Sequence, residues 1–200
     1  MHKVVHHDLP NQMVALHSLL QLLNDEESAR LSAEGREYVR RLQNATKQSS
    51  EMVRFLKEID RIHTISCKAE TVKLSALARE LQGEFVRLYP GTQFAFEWQW
   101  QVPALVGDVR VFLHATRELF AGLMQPPGKS CRVSASSAQR GEAVELAFRL
   151  EESPTPTRAN PQKLEERMEI ILAREWLALA GAELMLSVGA ESRFVVVVPK

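Results

Sequence analysis

The sequence predicts an α+β protein in two parts, an N-terminal helical hairpin followed by a sheet with helices on one face. Three observations lead there. Leu9, Met13, Leu16, Leu20 and Leu23 recur in steps of four and three, the spacing of a heptad seam on a helix. "TQFAFEWQW" alternates apolar and polar residues, as a half-buried strand does. Beyond residue 72, helical and alternating stretches succeed one another with hairpin signals between them, the order expected of an α/β sandwich of the α+β class.

The first helix runs into "NDEESARLSAEG", with Asn24 and Asp25 as its expected end. The second helix carries Tyr38, Leu42, Ala45, Ser49, Met52, Leu56 and Ile59 in the same steps. Two narrow seams are not both buried in a lone hairpin. The expectation is a homodimer in which two hairpins form a four-helix bundle, built from residues 1–65. "TISCKAETVKL" reads as a linker into a second unit, residues 72–200. There "LSALARELQGEFVRLY" is helical and "TQFAFEWQW" is a strand. "GDVRVFLHATRELFAGLMQ" is a helix opening at Gly107-Asp108, and "CRVSASSAQRGEAVELAFRL" is a hairpin turning at Arg140-Gly141. "KLEERMEIILAREWLALAG" is a helix ending near Gly181, and "AELMLSVGAESRFVVVVP" is a closing hairpin.

Composition removes several function classes. The chain is 45% hydrophobic, enough for a core, and its 25 basic residues balance its 25 acidic ones. A nucleic-acid binder is normally basic, so no nucleic-acid partner is expected. No apolar run approaches the roughly 18 to 20 residues that cross a bilayer. His6, His7, Asp8 and Pro10 interrupt any signal-peptide core. The expectation is a cytoplasmic protein with no membrane partner. Cys67 and Cys131 match no zinc or redox spacing and read as reduced, inert thiols.

The opening stretch "HHDLPNQM" concentrates polar chemistry at the start of the first helix. With Leu9 and Leu16 at d positions, His6 falls in the seam and His7 faces water. Pro10 has two readings. Inside a helix it leaves a carbonyl without its partner and kinks the chain; in a first turn it is accommodated and the helix starts at Leu9. His2 and His6 stand four apart, but no third metal ligand is evident. His17 and His114 read as surface or packed residues, and His63 as a cation at a helix C-terminus. Trp98, Trp100 and Trp176 read as core or interface anchors. The basic residues of Arg36-Glu37-Tyr38-Val39-Arg40-Arg41 read as a solvated face that an acidic partner could use.

His7-Asp8-Leu9-Pro10-Asn11, near the start of a two-helix hairpin that precedes an α/β sandwich, resembles the H-[ED]-L-x-[NT] motif of bacterial sensor histidine kinases. The resemblance implies that His7 is the phosphoacceptor, that Asp8 is its acidic neighbour, and that Asn11 orients a water or a phosphoryl group. The family's proline usually stands two residues later than Pro10. "LVGDVRVFLHATRELFAGLM" is similar to the family segment that opens at Gly-Asp and ends at a Mg²⁺-holding asparagine, but Gly122 occupies that asparagine's place. The D-x-G-x-G motif is missing from "LAFRLEESPTPTRANPQ", where Glu151, Glu152, Ser153 and Pro154 stand instead. The glycine-rich lid is missing from "NPQKLEERMEIILAREW". Mg²⁺ needs oxygen ligands, and phosphates need close backbone approach.

These losses imply a degenerate ATPase-like domain that binds no cofactor of its own. The combination resembles the dimeric histidine phosphotransferases derived from such kinases. Only six residues precede His7, so no sensor segment is expected in this chain. The expected function is a phosphorelay step in which His7 passes a phosphoryl group between receiver aspartates, with Mg²⁺ supplied by the response-regulator receiver. An upstream hybrid histidine kinase is a further expected partner. The alternatives are a receiver- or kinase-binding adaptor without chemistry and an ATP-dependent kinase fragment.

Overall fold

In a computed structural model, the described residues are 7–124, 129–153, 166–188 and 192–199. They fall into two compact units, Met1–Thr64 and Ile65–Lys200.

The first unit is an antiparallel helical hairpin of α1 (Leu9–Glu27) and α2 (Ala33–Thr64). Pro10 sits in the first turn of α1, so the accommodated reading holds and the helix starts at Leu9. His7 and Asp8 form a π-type turn just ahead of it. α1 continues past Asn24-Asp25 to Glu27. In the turn between the helices, Ser32 accepts the Gly35 N–H at 3.0 Å, capping the start of α2. Arg36 donates to the Leu31 carbonyl at 2.7 Å, taking up an end-of-turn acceptor.

Leu20, Val39 and Thr46 are buried between the helices, and Gln43 donates to the Leu20 carbonyl at 3.4 Å. The packed face of α2 is therefore Val39, Gln43, Thr46, Ser50 and Val53. The apolar stripe read from the sequence is its neighbour, one residue away. Tyr38, Leu42, Met52 and Leu56 all face solvent in the single chain. On α1, Leu20 points inward at 7% exposure while Val14 and Leu19 stand 66% and 63% exposed.

The second unit contains β1 (Glu70–Lys73), α3 (Leu74–Leu88), β2 (Gln93–Trp100), β3 (Ala104–Gly107), α4 (Val109–Leu123), β4 (Ser130–Arg140), β5 (Ala143–Ser153), α5 (Met168–Leu179), β6 (Glu183–Val188) and β7 (Ser192–Pro199). The main sheet has the order β2-β4-β5-β7-β6. β2 runs parallel to β4, and the other pairs are antiparallel. Gly141 and Gly181 take positive φ, at the β4–β5 turn and after α5, where a left-handed residue closes each element. β1 and β3 form a separate antiparallel pair. Neither was visible in the sequence, where the first reads as linker and the second as the run-up to a helix; four residues carry too little alternation to register.

One face of the main sheet is the core. Trp98, Ala135, Phe148 and Phe194 follow across four strands by register. α3 places Phe85 against Phe96 at 6.2 Å between ring centroids, and α4 places Phe120 edge-on to Phe194 at 5.7 Å. Phe85 and Phe120 touch at 4.1 Å, which ties the two helices together. Each fully buried ring contributes roughly 1.5 to 3 kcal/mol.

Candidate functional site

His7, Asp8 and Asn11 come together because a helical turn carries residue i+4 back over residue i. The His7 side chain is 71% exposed. Its Nδ1 lies 3.2 Å from an Asp8 carboxylate oxygen and 3.4 Å from the Asn11 amide nitrogen. Both neighbours address the same ring nitrogen. Among the described residues, Nε2 makes no hydrogen bond or ion pair. A carboxylate accepting from Nδ1–H leaves the lone pair on Nε2, which is the form of imidazole that attacks an electrophile.

Just beyond this turn, α1 and α2 leave a groove of about 300 Å³ lined by Pro10, Met13, Val14, Ser50 and Val53, with Arg54, Lys57 and Glu58 also in its lining. The floor is apolar and two of the three charges are basic. The sequence reading did not single out Arg54 or Lys57. Their signal was their place four residues and one residue before Glu58 on a helix, which reads as ordinary surface charge.

The remaining candidates are structural where they are described. His17 and His63 are exposed. His114 stacks on Trp176 at 4.5 Å, so it is a packed residue. Trp176 is buried, and Trp98 and Trp100 continue a ladder of rings from Phe94 and Phe96 along β2. Arg40 and Arg41 both bind Glu37 at 2.8 Å. Hydrogen bonds from Arg40 and then Arg41 hold the Glu37 carboxyl down at about 2. His2, His6, Pro154 and residues 160–165 of the segment expected to carry a lid lie outside the described residues. No cluster of three or more potential metal ligands occurs among the described residues. Both cysteines are free; burial, then the Asp108 charge, pushes the Cys67 thiol up.

The second unit answers whether a nucleotide and its Mg²⁺ fit. Gly122 lies buried on α4. A Cβ built there would meet Ile170 Cδ1 at 3.0 Å and Glu169 Cβ at 3.2 Å. A larger residue there would need Ile170 and Glu169, at the start of α5, to give by a few tenths of an ångström. Arg167 donates to the Gly122 carbonyl, so a positive charge sits beside Gly122. These residues do not fit a bound Mg²⁺. Elsewhere the segment keeps its architecture. Asp108 caps α4, accepting from the Arg110 N–H at 3.0 Å and from its guanidinium at 3.0 and 2.6 Å. It also takes the Lys68 N–H at 3.0 Å. The Arg110 hydrogen bonds, with the backbone donors behind them, hold Asp108 down at about 2 against the cost of burial.

No protein-family model matches the chain, and no curated protein matches it. Solved structures do. The histidine kinase AdeS of Acinetobacter baumannii superposes with a TM-score of 0.64 at 14% identity, covering 96% of this chain and 97% of that one. Histidine kinase ThkA, in its complex with the response regulator protein TrrA, gives 0.63 at 13% identity over 95% of this chain and 59% of that one. The ThkA catalytic domain alone gives 0.55 at 12% identity, covering 66% of this chain and 97% of that one. The chain has the fold of these histidine kinases, a helical hairpin followed by an ATPase-like α/β sandwich.

Proposed function

We propose that the chain is a histidine phosphotransferase of a two-component phosphorelay, with His7 as the phosphoacceptor. The observation that carries this reading is the exposed His7 ring with Nδ1 addressed by Asp8, a contact that puts the lone pair on Nε2. In the proposed step, the Nε2 lone pair attacks the phosphorus of a receiver's aspartyl phosphate. The N–P bond forms as the P–O bond breaks, and the oxygen leaves with the bonding pair as carboxylate. The Nδ1 proton stays shared with Asp8. The reverse sequence delivers the group to a second receiver. Asn11 orients a water or the phosphoryl group. Mg²⁺ would come with the receiver; the lack of a side-chain oxygen at Gly122 supports this.

The apolar groove beside the His7 turn supports a receiver-docking surface, with Arg54 and Lys57 placed to meet the acidic residues around a receiver's aspartate. An upstream hybrid histidine kinase would supply the first phosphorylated receiver. The solvent-facing leucines of α1 and the Tyr38–Leu56 stripe of α2 support a homodimer, since a second hairpin would cover both in a four-helix bundle. No helix of the described residues is long and apolar enough to cross a membrane.

The test is transfer of label from a panel of phosphorylated receivers, with His7→Ala as control. Acid-labile label on the wild-type chain and none on the variant is the expected result. The second reading is an adaptor that binds a receiver or kinase through the same groove and does no chemistry. Receiver binding without label uptake would select it.

A further inference from the structure

The two neighbours of His7 make opposite demands on one atom. Asp8 offers only acceptor oxygens, so its contact with Nδ1 requires a proton on that nitrogen. Asn11 approaches the same nitrogen with its amide N–H₂, 3.4 Å away, and that contact requires a lone pair there. A neutral imidazole has one proton to place. With it on Nδ1, Nε2 is a nucleophile; with it on Nε2, that nitrogen is a donor and cannot attack phosphorus.

We propose that Asp8 and Asn11 compete for His7 Nδ1 and select opposite ring tautomers, so that Asn11 is a positioning residue that holds back the nucleophilic form which Asp8 favours. This rests on the phosphoacceptor reading for its consequence, but not for its test. The balance leans to Asp8. Its contact is the shorter, and a charged acceptor makes the stronger hydrogen bond. It does not lean completely, because the carboxylate is half exposed and water competes for it. Asn11 thus sets what fraction of rings is ready to accept a phosphoryl group. A receiver that draws the Asn11 amide away on docking would release the ring into its reactive form at the moment of contact.

The experiment is ¹⁵N nuclear magnetic resonance of the imidazole nitrogens in the full-length protein, at a pH where the ring is neutral. The His7→Ala spectrum identifies the His7 signals among those of the other histidines. Ring ¹⁵N shifts separate the protonated from the unprotonated nitrogen and give the ratio of Nδ1–H to Nε2–H forms directly. Asn11→Ala removes the competing donor and should raise that ratio by about 2- to 10-fold, the range for losing one net hydrogen bond. Asn11→Asp, which adds an acceptor, should raise it at least as far. Asp8→Ala should lower it by a similar factor. All three positions are partly or fully exposed, so the helix is expected to persist, and far-ultraviolet circular dichroism checks that. Ratios that stay within two-fold of wild type in the Asn11 variants, or that move in the same direction for Asn11→Ala and Asp8→Ala, overturn the proposal. If the tautomers respond as expected but no receiver transfers label to His7, then the tautomer assignment stands and the phosphotransfer reading falls.

Discussion

At the scale of single residues, two sites carry sharp expectations. His7→Ala should abolish label uptake from a phosphorylated receiver. Folding should be unaffected, because an exposed substitution away from caps and core usually shifts stability by less than about 0.5 kcal/mol. Uptake by the variant would remove His7 from the chemistry. Asp108 is the second site. Its carboxyl is held at about 2 against an ordinary value of 3.8, so the folded state favours the ionised form. The stability this contributes is fully present above the unfolded value and is lost as pH falls through about 2. On the order of 2 kcal/mol is involved. Calorimetry of the second unit should show its midpoint falling between pH 7 and pH 3, and Asp108→Asn should lower the pH 7 midpoint and flatten that fall. A variant that keeps the wild-type pH dependence would place the acid sensitivity elsewhere.

At the scale of elements, the contact between α4 and α5 decides what the second unit can bind. Gly122→Asn restores the side chain that a Mg²⁺ site needs, yet it should not restore nucleotide binding. It should instead destabilise the unit by about 1 to 3 kcal/mol, the usual cost of overpacking, because the new Cβ would come within 3.0 Å of Ile170 Cδ1 and 3.2 Å of Glu169 Cβ and both would have to shift. Calorimetric titration should find no saturable ATP binding at millimolar concentration in either protein; saturable binding by the wild type would revive the kinase reading. The sequence announced the loss at position 122 but not its cause. Nothing in "NPQKLEERMEIILAREW" says that Arg167 will reach the Gly122 carbonyl, since the two are 45 residues apart. Long, strongly patterned elements were legible: β2 through its alternation, and the β4–β5 turn through Arg140-Gly141. The packed face of α2 was not, because Thr46 and Ser50 line it. Their hydroxyls bond back to the Leu42 and Thr46 carbonyls of the same helix, so small polar residues act as packing surface. A search for apolar periodicity passes over them and selects the adjoining leucines.

At the scale of the whole molecule, the exposed stripe is informative. α2 has one face used within the chain and another, more apolar, left in water, and burying each exposed leucine would contribute roughly 1.5 to 3 kcal/mol. Sedimentation at micromolar concentration should give a dimer. Leu19→Glu combined with Leu56→Glu should give a monomer that keeps its helix content, because both side chains already face solvent in the isolated chain. A wild-type monomer would remove the main support for the bundle. The motif at His7, Asp8 and Asn11 was legible as a set through its resemblance to the histidine-kinase motif. The shared claim of Asp8 and Asn11 on one nitrogen was not, because spacing gives a common face but not which ring atom each side chain meets.

The ring ladder along β2 has a further use. All three tryptophans of the chain, Trp98, Trp100 and Trp176, belong to the second unit, and Trp98 and Trp100 stack at 5.7 Å between centroids. Tryptophan emission is therefore blind to the hairpin and reports only on the sandwich, whereas backbone ellipticity weighs the long helices of the hairpin most. Following both signals through one denaturant titration separates the two units without labels or truncation. Coincident curves would mean that the units melt as one cooperative body, and separated curves that the helical hairpin can lose or keep its structure independently of the domain it precedes.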